Sequence, residues 1–85
     1  MKFDFSKHAL EQMDLRQIGK AVVRKILNDP GQVLEENGKR IYQSIVTTRG
    51  KEYLIRIFVN YHKDPNLVIT VYKTSKISKY YEGEI

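Results

Sequence analysis

The apolar positions of this chain follow two periods, one before residue 30 and another after it. In "SKHALEQM", residues 6–13, they fall at Ala9, Leu10 and Met13, three and four apart, which is the spacing of one helical face. Ser6 stands where a hydroxyl caps the first free N–H groups, and Phe5 before it is spaced to pack on Leu10 as a hydrophobic staple. A second helix is predicted through "GKAVVRKILNDP", with Val22, Val23, Ile26 and Leu27 inward and Lys20, Arg24 and Lys25 outward. Pro30, which has no N–H to donate, prevents its continuation.

From residue 32 the period is two. "QVLEE" and "KRIYQSIVTT" flank Asn37-Gly38, a pair whose tolerance of positive φ suits a tight hairpin. A second hairpin turns at Arg49-Gly50 into "KEYLIRIFVNY", with Ile55, Ile57 and Val59 on one face. "KDPN" supplies turn residues before the last strand, "LVITVYKT", with Ile69 and Val71 on its inner face. Helices first and strands after, without alternation, predict an α+β domain: two N-terminal helices packed on one face of a four-stranded antiparallel sheet. One domain spans 1–85, and "EGEI" at 82–85 reads as a loose tail.

Composition narrows the chemistry. Eighty-five residues provide one modest core, so any cleft is shallow. The chain has no cysteine, which excludes disulfides and thiolate metal sites and fits a reducing cytoplasm. No apolar run approaches the roughly 18 residues of a membrane span, and "MKFDFSKHAL" lacks the apolar centre of a signal peptide. The expected location is cytoplasmic, away from membranes. The two histidines, His8 and His62, are too far apart for a helical ligand pair, and neither a Gly-rich phosphate loop nor a serine-nucleophile motif occurs. No metal or cofactor is therefore expected.

The net charge of +5 is unevenly spread. Residues 1–42 carry eight Lys/Arg against six Asp/Glu, whereas 43–81 carry seven against only Glu52 and Asp64. Such an excess suits a polyanionic partner. "TVYKTSKISKYY", residues 70–81, places Lys73, Lys76 and Lys79 three apart among tyrosines, with Thr74 and Ser75 between. Ammonium groups neutralise phosphates and tyrosine rings stack on unpaired bases, so the run suits RNA. It would equally serve to keep a final strand from pairing at its edge.

Alternation puts Arg56 opposite Ile55 and Ile57, beside Thr70, Tyr72 and Thr74, and Arg40 and Tyr42 are candidates to extend that surface. His8 falls at the second position of the first helix, where the positive helix end favours neutral imidazole, a form able to accept a proton; a structural histidine donating one bond to a carbonyl fits the same position.

"SKHALEQM" at 6–13, "IGKAVVRKILNDPGQVLEENGKRIYQS" at 18–44 and "VITVYKTSKISKYY" at 68–81 resemble a family of small prokaryotic proteins known as a domain of unknown function. It is grouped by similarity with BrnT, RelE and ParE toxins, in the barnase/EndoU/colicin/RelE ribonuclease-like fold. The resemblance implies a metal-independent endoribonuclease toxin that leaves a 2′,3′-cyclic phosphate, neutralised by a cognate antitoxin protein. It places the helix-one histidine at His8 and the terminal cluster at Thr74, Ser75, Lys76 and Tyr80. In that scheme His8 is the base or acid, Arg56 and Lys76 hold the phosphate charge, and Tyr80 stacks or donates a proton. Arg40, Tyr72, Lys73, Thr74, Ser75 and Lys79 bind RNA. Two readings without bond cleavage stand beside it: a ParE-like inhibitor of another enzyme, and an RNA-binding module of the same fold.

Overall fold

The computed structural model describes residues 2–83. In chain order these form β1 (Phe3–Phe5), α1 (Lys7–Leu15), α2 (Lys20–Asn28), β2 (Gln32–Glu36), β3 (Lys39–Thr48), β4 (Lys51–Asn60), β5 (Asn66–Thr74) and α3 (Ile77–Tyr80). The sheet order is β1-β5-β4-β3-β2, antiparallel throughout except that β1 runs parallel to β5. The class is α+β, but the expected four-stranded antiparallel sheet is corrected to a five-stranded mixed one. The missed strand, "FDF", is too short to show a period, and Phe5 belongs to it rather than acting only as a staple.

Local chemistry explains the helix ends. The Ser6 hydroxyl accepts from the Ala9 N–H at 3.0 Å, capping α1 as expected. At the other end the Ile18 N–H donates to the Met13 carbonyl at 2.8 Å and the Gln17 N–H to that of Asp14 at 3.1 Å, the paired bonds of a Schellman motif. Gln17 occupies the left-handed position at φ 55°, where a side chain crowds the backbone and glycine is favoured. Gln17→Gly is therefore expected to stabilise the chain by about 0.5–1 kcal/mol after its greater unfolded-state freedom is counted. That is a rise of roughly 2–8 °C in thermal melting, and a lower melting temperature would count against the motif.

The helices cover one sheet face. Ala9, Met13, Ile18, Val23, Ile26 and Leu27 close on Tyr42, Ile55, Ile57, Val59, Val68 and Val71. Leu10, expected in the stripe, is instead 39 % exposed, and Val22 is 41 % exposed. A bulge in β5 changes the inner set: Val59 pairs with Val68 and Phe58 with Thr70, so Ile69 is the extra residue and Val68 takes its place in the core. Beyond the end of β1, the Val71 N–H has no strand partner on that side, and the Gln12 side-chain oxygen accepts it at 3.1 Å. Gln12→Ala is expected to cost about 1 kcal/mol by leaving this N–H unpaired, measurable as a lower urea midpoint. An unchanged midpoint would show that water replaces the amide.

Both hairpins form as expected, with positive φ at Asn37 and Gly38 and at Arg49 and Gly50.

Candidate nucleic-acid interface

The sheet face away from α1 and α2 carries the cross-strand row Gln32, Gln43, Arg56 and Tyr72. Arg56 is only 5 % exposed and Gln43 is completely buried. Arg56 Nε donates to Gln43 Oε1 and its Nη1 to the Tyr72 hydroxyl, both at 2.8 Å. Gln43 Nε2 donates in turn to Gln32 Oε1 at 2.8 Å and to the Tyr80 carbonyl at 3.1 Å. Gln32 also binds the backbone of Glu82 twice, accepting from its N–H and donating to its carbonyl.

Aromatic rings surround the guanidinium. Its carbon lies 4.5 Å from the Tyr80 ring centroid, 5.3 Å from Phe58 and 5.7 Å from Tyr72. Tyr80 meets Tyr72 edge-on at 6.3 Å. The chain after β5 thus folds back over the outer face, and Arg56 is held by neutral oxygens and π-faces beneath it. Glu82, expected in a loose tail, is fastened there, whereas Glu84 and Ile85 lie outside the described residues.

The expected cleavage residues divide between two faces. Arg56 and Tyr80 meet on the outer one, and Lys76 caps the short helix α3 that carries Tyr80. His8 is exposed on α1, whose Ala9 and Met13 pack into the core on the other side. Lys76, Lys79 and Ser75 are exposed, and the Thr74 hydroxyl accepts from the Lys76 N–H at 3.1 Å. Arg40 pairs with Val59 and Tyr42 with Ile57, so both lie on the helix-bearing face rather than beside Arg56. Arg40 stacks on Tyr61 at 4.3 Å and meets Glu35 at 4.0 Å. The Tyr61 phenol is raised above its ordinary range, first by its hydrogen bond to Glu35.

Lys73 parts from the other two lysines of its run. It pairs with Ile55 and therefore faces the helix side, at the open end of the sheet beyond α2. There it lines a groove of about 790 Å³ between α2 and the β3–β4 hairpin. Ile18, Val22, Ile26, Val46 and Ile55 form its apolar floor. Lys25, Arg49, Lys51 and Lys73 surround it against one carboxylate, Asp29. Tyr53 stands between two of these cations, with Lys73 Nζ 4.8 Å and Lys51 Nζ 5.4 Å from its ring centroid. Strand alternation places Lys51, Tyr53 and Ile55 on one face, a signal that was available in the sequence. At the hairpin, Arg49 adopts φ 52° and Gly50 φ 77°, and Arg49 lines the groove.

Four cations around one concavity attract a polyanion more strongly than the same charges spread over the surface. The Tyr53 ring adds a surface on which a planar group can stack. Among the described residues no helix is long and apolar enough to cross a membrane.

No curated protein and no solved structure matches the chain. A family model does, over residues 5–73, from the end of β1 to the penultimate residue of β5, leaving α3 and the segment around it outside the matched span. The model covers most of the chain, which therefore belongs to the family described as domain of unknown function DUF4258.

Proposed function

We propose that this chain is an RNA-binding module, of the group of folds that includes the BrnT, RelE and ParE toxins, and that it holds RNA at the basic groove without breaking a bond. The observation that carries the proposal is the convergence of Lys25, Arg49, Lys51 and Lys73 on one groove with only Asp29 opposing them. The order of elements, one short strand, a helix pair, an antiparallel meander and a last short helix, is the basis offered for the fold grouping, and the grouping by itself carries no function. Binding requires no acid–base pair. Cleavage through His8 and Arg56 would require one phosphodiester to reach both faces of the sheet, and Arg56 already lies beneath Tyr80.

Fluorescence anisotropy with a short labelled single-stranded RNA tests this. The wild-type chain is expected to bind with a salt slope of roughly −2 to −3, the value for three or four neutralised phosphates on a single strand. Lys51→Glu combined with Lys73→Glu is expected to weaken binding by about tenfold or more, because each change replaces an attraction with a repulsion. His8→Ala is expected to bind as wild type does. RNA fragments with cyclic-phosphate ends, produced in excess chelator and lost in His8→Ala, would replace binding with catalysis.

A further inference from the structure

We infer that the groove admits an unpaired nucleotide, so that the RNA this module binds is single-stranded at the point of contact. The inference rests on the RNA-binding proposal and adds the class of substrate to it. A surface that reads only phosphates needs cations and no apolar concavity. Here the cations line the concavity, and the apolar surface between them is the exposed side of Val22 and the half-buried Val46, backed by the core residues Ile18, Ile26 and Ile55. A duplex keeps its bases stacked inside and presents its phosphates, so it gains nothing from that surface. A splayed base buries its faces there.

Tyr53 supplies the platform. It is partly buried at the wall of the groove, and its ring is flanked by the ammonium groups of Lys51, 5.4 Å from its centroid, and Lys73, 4.8 Å from it. Both lysines have long flexible stems, so each can leave the ring for a phosphate while a base takes its place against the π-face. The same geometry explains why the cations alternate with one aromatic residue instead of forming a continuous basic run. A peptide of acidic residues alone would satisfy the cations but has no aromatic face to stack on the ring.

The test is competition. A labelled single-stranded RNA bound to the full chain is displaced with unlabelled single strand, with duplex RNA of the same sequence, and with polyglutamate matched in charge. The expected order is single strand well ahead of the other two. Tyr53→Leu is expected to weaken single-strand binding at least about fivefold, and Tyr53→Phe, which keeps the ring, to bind nearly as wild type does. Circular dichroism of both variants confirms folding, and the wild-type competition needs no variant at all. Equal displacement by duplex or polyglutamate, with Tyr53→Leu unaffected, would overturn the unpaired-base inference and leave electrostatic RNA binding standing. Failure of the wild-type chain to bind any RNA would overturn both.

Discussion

Replacing Gln43 with leucine is expected to destabilise the chain by about 3 kcal/mol or more, although leucine is apolar and of similar size. The side chain is fully buried and makes bonds in three directions. Its loss removes the acceptor for Arg56 Nε and the donor shared by Gln32 Oε1 and the Tyr80 carbonyl. Gln32 Oε1 still accepts from the Glu82 N–H, so the groups left unpaired are the Tyr80 carbonyl and the charged Arg56 Nε–H; an orphaned buried group costs about 1–3 kcal/mol, and a charged donor costs more. Gln32→Ala, at a partly exposed position, is expected to cost less because water reaches its partners. Urea unfolding of both variants measures the difference. If Gln43→Leu unfolds within about 0.5 kcal/mol of wild type, the polar row does not fasten the outer face.

Ending the chain at Ser75 is the second change with a large expected effect. It removes α3, the Tyr80 ring over Arg56, and the Tyr80 and Glu82 backbone groups bound by Gln43 and Gln32. The exposed guanidinium would regain water, but the outer face would also uncover apolar area around Tyr72. The net loss is expected to be on the order of 3 kcal/mol, together with new binding of a hydrophobic dye. For a domain of this size that is a large fraction of the total stability. A truncated chain with unchanged stability and no dye binding would mean that the segment rests on the sheet without supporting it. The family match ends at Lys73, so the residues that bind the segment from the sheet lie inside it and the cover lies beyond.

Much of this architecture follows from local signals. Ser6 caps because its spacing to Ala9 is right, and Asn37-Gly38 turns because both residues accept positive φ. The features that escaped depend on distant partners. Phe3, Asp4 and Phe5 form a strand only because β5 offers an edge far along the chain. The β5 bulge substitutes Val68 for Ile69, and two adjacent branched apolar residues give no local reason to prefer either. In β3, Ile41 and Tyr42 are both buried, so the strand is apolar on both faces and its parity cannot be inferred from hydrophobicity. That is why Arg40 and Tyr42 were expected beside Arg56.

The candidate site was partly legible. The excess charge of the second half pointed to a polyanion, and Lys73 was among the expected contacts. The lysine run suggested one row, yet β5 ends at Thr74, sending Lys73 into the groove and Lys76 and Lys79 onto the returning segment. Arg56 was expected at a surface because nothing near it in sequence covers it. Its cover comes from Tyr72 and Tyr80, 16 and 24 positions later. Lys51 and Tyr53 were within reach of the alternation argument, which places them on the same face as Ile55.

The most direct measurement of the central claim is a titration of isotopically labelled protein with a short single-stranded RNA at low salt, followed by amide chemical shifts. Binding at the groove predicts shifts concentrated at Lys25, Arg49, Lys51, Tyr53 and Lys73, with His8 and the segment from Lys76 to Tyr80 unmoved. Shifts confined to that segment or to His8, or none at all, would contradict it.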